Sequence, residues 1–186
     1  MKKLLVAILL LNILFVSSCS NVSSFDEVQD NEESVENTSF DATYQELLQK
    51  FSDNDFQFSE TGVKSFDDNE KLINGVIYMS KNEFEICRVK VRTFNDRIAQ
   101  VHLNYDISGD ETGYDKFPII VKVVAYSLKP DLPDNYIEDL EKYSEDFYSR
   151  DYNDLRISLT YSDKYLGTGL IGTAIDCAIV HLDFVD

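Results

Sequence analysis

Two neighbouring segments in the middle of the chain alternate apolar and polar residues, and this alternation is the strongest constraint on the fold. In EFEICRVKVRTF (83–94) every second residue from Cys87 to Val91 is apolar, and IAQVHLNYDIS (98–108) repeats the pattern. Alternation with a period of two is typical of antiparallel strands that bury one face. The short turn Asn95-Asp96-Arg97 lies between the segments, so we predict a hairpin.

Further strands are expected on both sides of this hairpin. INGVIYMS (73–80) precedes it, and two alternating segments at 155–161 and 177–184 close the chain. The polar stretch 52–71 is expected to be mostly loop, with an extended piece at Phe56 to Phe58.

Helical spacing of apolar residues predicts three helices. Residues 44–51 form a short amphipathic helix with Asp41 as its N-cap. Residues 117–128 are rich in β-branched side chains, which leaves a strand open, but an early proline suits a first helical turn and we favour a helix. A third helix begins near Pro133, and Phe147 closes its apolar side.

This order of elements indicates an α+β fold. We expect an antiparallel sheet with helices mainly on one face. Residues 42–186 form a single compact domain, because 145 residues are enough for one substantial core.

The first residues form a targeting signal. Two lysines precede an apolar stretch of 13 residues ending at Val16, which is shorter than the roughly 20 residues needed to span a bilayer. The stretch ends Val16-Ser17-Ser18-Cys19, which resembles the lipobox of bacterial lipoproteins. This resemblance covers the targeting segment only. It implies that residues 1–18 are a signal peptide, that Cys19 carries a diacylglyceryl group, and that the protein is extracytoplasmic and held to a bacterial membrane by lipid.

The next segment is strongly acidic. Residues 20–41 contain seven acidic residues and no lysine or arginine, so 19–41 is predicted to be the lipidated cysteine followed by a disordered tether. Without these acids and the two lysines of the signal, 15 basic and 27 acidic residues remain in 42–186, a net charge of −12. This charge argues against nucleic acid as a partner and is compatible with a cationic one.

Two cysteines, Cys87 and Cys177, lie in the predicted domain. In an exported protein an even number of cysteines suggests a disulfide. Free buried thiols fit equally well, so the sequence leaves both alternatives open.

Two stretches resemble binding motifs, one for a dinucleotide and one for calcium, but neither is predicted to bind its ligand. GTGLIG (167–172) matches the dinucleotide-binding pattern, but a strand follows it where a helix is needed, so we predict a hairpin loop. DISGDETGYD (106–115) begins like a calcium loop but lacks the glycine at position six and the glutamate at position twelve.

Catalysis is not expected. His102 and His181 are predicted to lie on polar strand faces away from the core, and no pairing of a nucleophile with a base is evident. A cell-wall enzyme would need a pocket that joins a cysteine or histidine to a base.

The most suggestive feature is a set of basic residues on the polar side of the predicted sheet. The set comprises Arg88, Lys90, Arg92, His102 and Arg156. In an acidic domain it would form a positive docking surface, although cross-strand acids such as Glu85 would make it an ordinary solvated face. We predict a membrane-anchored surface lipoprotein whose non-catalytic domain binds a protein partner. An inhibitor or immunity-type lipoprotein that blocks an exported enzyme or toxin is the alternative, and a cell-wall enzyme is the third class.

Overall fold

The computed structural model describes residues 38–79, 84–106, 115–138, 147–165 and 171–184. Contacts within the chain divide it into two units, Met1–Asn31 and Glu32–Asp186, and all described residues belong to the second.

The described part contains three helices and seven strands. The helices are α1 (Tyr44–Asp53), α2 (Phe117–Leu128) and the single turn α3 (Asn135–Glu138). The strands are β1 (Phe56–Ser65), β2 (Glu70–Met79), β3 (Phe84–Phe94), β4 (Arg97–Asp106), β5 (Phe147–Tyr152), β6 (Leu155–Tyr165) and β7 (Ile171–His181).

The strands form one sheet in the order β1-β2-β3-β4-β7-β6-β5, and every neighbouring pair is antiparallel. The molecule therefore has the predicted α+β class, with the sheet as its dominant element. The predicted hairpin is confirmed as β3 and β4, and 117–128 is a helix, as favoured.

One face of the sheet belongs to the core. The buried positions on the five strands β2, β3, β4, β7 and β6 join one cluster with the buried residues of α1 and α2, such as Leu47 and Ile120. Helix α1 packs against β1 and α2, and α2 packs against β4. Burial of these apolar side chains supplies most of the stabilisation of the fold.

Two element assignments were wrong. The stretch 56–65 is a full strand, β1, where mostly loop was expected. Phe147 does not close a helix but begins strand β5, where its side chain is 61% exposed. The continuation of α3 beyond Glu138 lies outside the described residues.

The domain begins earlier than the predicted residue 42. Phe40 is 2% exposed and belongs to the core. Its N–H donates to the carbonyl of Ile98 at 2.8 Å, and the N–H of Ile98 donates to the carbonyl of Ala42 at 2.9 Å. Phe40, which was assigned to the tether, is therefore part of the folded domain. Burial of its large aromatic side chain stabilises this attachment beside β4.

The predicted cap of α1 was also wrong. Thr43 is the N-cap, and its hydroxyl accepts from the N–H of Glu46 at 3.3 Å while Glu46 Oε2 accepts from the N–H of Thr43 at 2.8 Å. This reciprocal arrangement is a capping box. Asp41 pairs instead with Arg97, at 2.7 Å from Nη1 to Oδ1.

Candidate functional site

Strand register places all five predicted basic residues on the same face of the sheet. Lys90 lies opposite His102, and Arg92 lies opposite Gln100. Gln100 is followed across the sheet by Val180 and then Arg156. We call the twelve residues of these four strands the open face: Arg88, Lys90, Arg92, Gln100, His102, Asn104, Asp176, Ala178, Val180, Arg156, Ser158 and Thr160.

None of the open-face residues is buried, whereas every intervening residue on the other side of these strands is buried. Arg88, Lys90, His102 and Arg156 are exposed, and Arg92 is half-buried. Since neighbouring strands lie about 4.8 Å apart, the face extends about 14 Å across its four strands.

The open face is less positive than its basic residues suggested, because the arginines have acidic partners. Arg88 Nε lies 3.6 Å from Glu85 Oε1. Arg156 makes two hydrogen bonds to Asp151, at 2.7 and 2.9 Å. Lys90 forms no ion pair with any residue that the structure describes. Exposed pairs of this kind contribute at most about 1 kcal/mol each and compete weakly with an incoming partner.

The side chain of Arg92 is held by contacts within the domain. Its guanidinium lies over the rings of Phe66 and Phe184, 5.2 and 4.8 Å from their centroids. Its Nη2 is 2.6 Å from Glu70 Oε1. Contacts with two aromatic faces and a carboxylate hold the β1–β2 connection against the end of the chain, so Arg92 is less available for a partner than Lys90.

Cys87 and Cys177 are free thiols, both buried in the core. Cys177 lies opposite Leu103 on β4, and Cys87 is on β3, the strand on the other side of β4. Two strand spacings separate the backbones by about 10 Å, more than the roughly 7 Å that a disulfide can bridge. The disulfide alternative is therefore wrong for this fold. Burial raises the pKa of both thiols, so neither is an activated nucleophile.

A cavity of about 430 Å³ lies where four chain segments meet. Its walls come from the segment before α1, the loop after α2, the β5–β6 turn and the end of β7. It is lined by Ser39, Phe40, Asp41, Leu128, Lys129, Pro130, Asp131, Asp154, His181 and Asp183. Sequence reasoning missed this site, because its polar residues follow no motif spacing.

A chain of polar contacts runs along the cavity wall. Lys129 Nζ lies 2.7 Å from Asp154 Oδ1, and Asp154 Oδ2 lies 3.5 Å from His181 Nε2. The hydrogen bond that Lys129 donates to Asp154 raises the pKa of Lys129. The charges of Asp154, Asp131 and Asp41 raise it further, and only burial opposes them.

The predicted position of His181 was wrong. It is 5% exposed, and its ring meets the ring of Phe40 at a centroid distance of 5.1 Å. Residues Cys177, Ile179 and His181 share the buried side of β7, so the apolar stripe of this strand is the opposite of the one expected. His102 lies on the exposed face, as predicted.

The cavity meets one condition set for an enzyme, since it joins a histidine to a carboxylate. Both ring nitrogens of His181 face protein groups, however. Nδ1 accepts from the N–H of Asp183 at 3.3 Å, and Nε2 faces Asp154. A general base needs a free ring nitrogen within reach of its substrate. In this arrangement neither ring nitrogen of His181 is free to accept a proton from a substrate.

Several predicted features lie outside the described residues: Cys19, the acidic segment before residue 38 and most of the calcium-like stretch 106–115. Part of GTGLIG also lies outside, but β6 and β7 pair antiparallel from Leu155↔His181 to Tyr165↔Ile171. The prediction that this motif connects two antiparallel strands is confirmed, and the dinucleotide interpretation is excluded because a strand follows it.

Comparisons with protein-family models, curated proteins and solved structures find no match to this chain. Within the described residues no helix is long and apolar enough to cross a membrane. No group of three or more potential metal ligands occurs there either.

Proposed function

We propose that this protein is a lipid-anchored bacterial surface protein whose α+β domain binds a protein partner through the open face. The lipobox-like segment ending at Cys19 supports the anchor. The observation that carries the binding function is the open face itself, where basic residues on adjacent strands meet solvent.

The open face suits a partner with acidic groups. Lys90 supplies an exposed cation without an ion pair in the described part of the chain, and His102 lies directly opposite it. Arg88 and Arg156 can exchange their exposed acidic partners for those of a bound protein, since such pairs are weak. The amides of Gln100 and Asn104 and the hydroxyl of Ser158 already make hydrogen bonds, to His102, Asp176 and Ser149. A partner would therefore use their remaining hydrogen-bonding capacity.

The proposal requires the two faces of the sheet to have different roles, one in the core and one in docking. We propose that the helices cover only the core side, so that the whole open face is available for docking. The contacts of α1 with β1 and of α2 with β4, together with the shared core of helices and buried strand positions, support this arrangement.

The test is capture of partners from the cell surface by the full chain and by two single charge reversals. Lys90→Glu changes the open face, and Lys50→Glu makes the same change of charge on an exposed position of α1. We expect one stoichiometric partner that is retained by Lys50→Glu and lost by Lys90→Glu. Added salt should weaken its capture, because exposed charges are screened.

Equal capture by both variants would show that docking does not use the open face. Recovery of only non-protein polymer would contradict a protein partner. Binding of a single exported enzyme or toxin whose activity stops on binding would favour the inhibitor class.

A further inference from the structure

His181 holds the turn that follows β7. Its Nδ1 accepts a hydrogen bond from the N–H of Asp183 at 3.3 Å, and its carbonyl accepts one from the N–H of Phe184 at 3.0 Å. The N–H of Leu182 donates to the carbonyl of Asp154 at 2.6 Å, which fixes the start of the turn. The acceptor nitrogen of His181 is therefore one of the groups that keep Phe184 in place.

The far end of this turn reaches the open face. The ring centroid of Phe184 lies 4.8 Å from the guanidinium of Arg92 and 5.8 Å from the ring centroid of Phe94. Arg92 is an open-face residue, whereas His181 lies on the buried side of β7. The 181–184 turn thus connects a buried histidine to a cation on the other side of the sheet.

Protonation of His181 is incompatible with the observed turn. In the neutral ring Nδ1 is the acceptor, so Nε2 carries the proton. In the charged ring both nitrogens are donors, and Nδ1 can no longer accept from the N–H of Asp183. Two donors would then face each other at a side chain that is 5% exposed. Because a buried donor without an acceptor costs free energy, one of the two must move.

Carboxylates near the ring can receive the charged form. Asp154 Oδ2 lies 3.5 Å from Nε2, and Asp183 Oδ2 lies 4.0 Å from Nδ1. A small rotation of the Asp183 side chain would give the Nδ1 proton an ionised acceptor, which makes a stronger hydrogen bond than a neutral one. Protonation therefore offers Nδ1 a new partner in the residue whose N–H it loses.

The balance of charge around His181 allows protonation. The other charged residues of the cavity lining come from the segment before α1 and the loop after α2: Asp41, Lys129 and Asp131. The lysine and the burial of the ring oppose a positive charge on the imidazole, whereas the carboxylates favour it.

We propose that His181 is a pH-sensitive switch that acts on the open face. On protonation Nδ1 exchanges the N–H of Asp183 for the Asp183 carboxylate, the 181–184 turn opens, and the Phe184 ring moves away from Arg92. The proton comes from solvent and only hydrogen bonds change. Loss of one aromatic contact makes Arg92 more available to an acidic partner, and this last consequence rests on the proposed function of the open face.

The test is an NMR titration of the full chain in mild detergent between pH 8 and pH 5, the range in which histidine ordinarily changes charge. The titration follows the imidazole signals of His181, the amide signal of Asp183 and the Nε–H signal of Arg92. We expect all three to move with one common midpoint. Since the Phe184 ring current shifts the Arg92 signal, this signal should approach at acid pH its position in the variant Phe184→Leu.

Three variants assign the change to His181. In His181→Asn the side-chain oxygen can still accept from the N–H of Asp183 but cannot take up a proton, so the Arg92 signal should stay at its alkaline position. The control His102→Asn removes the other histidine of the chain and should leave the midpoint of Arg92 unchanged. Asp183→Asn removes the carboxylate that receives the Nδ1 proton and should lower the midpoint. If His181→Asn does not fold, the common midpoint in the original chain and its decrease in Asp183→Asn decide the question.

Three results would overturn the proposal: His181 keeps one charge state over the whole range, its titration leaves the Arg92 signal in place, or the Arg92 signal moves equally in His181→Asn.

Capture of the partner tests the consequence for docking separately. In a His102→Asn chain, whose open face gains no histidine charge in acid, capture should be about threefold stronger at about pH 5.5 than at about pH 7.5. Addition of His181→Asn should abolish this gain. Absence of any partner would contradict the proposed function and leave the NMR result standing.

Discussion

Gly75 of β2 lies directly beneath the ring of Phe58 on β1. A Cβ at this position would be 2.1 Å from Phe58 Cζ, far closer than any van der Waals contact. The ring itself is stacked on Phe51 at a centroid distance of 6.3 Å and meets Tyr44 edge-on at 6.0 Å. The absence of a side chain at Gly75 therefore allows α1 to pack against β1.

Gly75→Ala should displace the Phe58 ring and lower the free energy of unfolding by about 1–3 kcal/mol, the usual cost of overpacking. Gly62→Ala is the matched control, because a Cβ there meets nothing within 4 Å. Urea unfolding of both variants measures the difference. If Gly75→Ala is as stable as the control, the ring does not constrain this position.

Asp154 connects the charged groups of the cavity wall. Burial tends to raise its pKa, but the hydrogen bond from Lys129, a backbone hydrogen bond and the charges of Lys129 and His181 outweigh burial and lower the pKa. A carboxyl with a lowered pKa stabilises the fold above its unfolded pKa, and this stabilisation is lost as the pH falls through the folded pKa.

Asp154→Asn should lower the free energy of unfolding by about 1 kcal/mol at neutral pH, a value reduced because the side chain is partly exposed. The difference from the original chain should shrink at about pH 3, below the ordinary pKa of aspartate. Urea unfolding at both pH values measures it, with Asp134→Asn as control. A difference that stays constant with pH would exclude an ionic contribution.

At the scale of elements, α1 depends on its capping box. Thr43→Ala removes the hydroxyl that accepts from Glu46 N–H and should lower the free energy of unfolding by about 1 kcal/mol. Asp41→Ala should have a much smaller effect, since the Asp41 side chain is 99% exposed. Thermal unfolding of the two variants shows which residue caps the helix. A larger decrease in melting temperature in Asp41→Ala than in Thr43→Ala would indicate that Asp41 is the N-cap, as the sequence predicted.

The elements that could be predicted are those whose pattern is local. Strands β3 and β4 are buried on one side along most of their length, so their alternation is strict. Strand β1 is an edge strand with an exposed second half, so its sequence is polar and resembled a loop. Phe147 lies four residues after Tyr143 and imitated a helical stripe, although the turn Asn153-Asp154 is a hairpin signal that could have revealed β5.

At the scale of the whole molecule, the free thiols report on global unfolding. Cys87 and Cys177 are 2% and 0% exposed, so alkylation requires the sheet to open. In a Cys19→Ser chain we expect both thiols to react with iodoacetamide at one common slow rate, and a reductant to leave the melting temperature unchanged. A lower melting temperature with reductant would indicate a disulfide, and unequal rates would indicate local opening.

The two surfaces differed in how far they could be predicted. The five basic residues of the open face follow from alternation within single strands and could be predicted without the strand order, whereas the buried side of β7 was predicted wrongly. The cavity needs β4, β7 and β6 to be neighbours, and alternation does not determine strand order. Its walls come from segments as distant as Ser39 and His181, so no local pattern could have assembled them.

The place where the chain enters the domain has a mechanical consequence. Phe40 and Ala42 are hydrogen-bonded to Ile98 at the start of β4, which is the middle strand of seven. A pull on the preceding residues is therefore delivered to the centre of the sheet and not to an edge strand that could peel away. The load is shared by three strands on either side, so the domain should resist traction from its N-terminal end as one body.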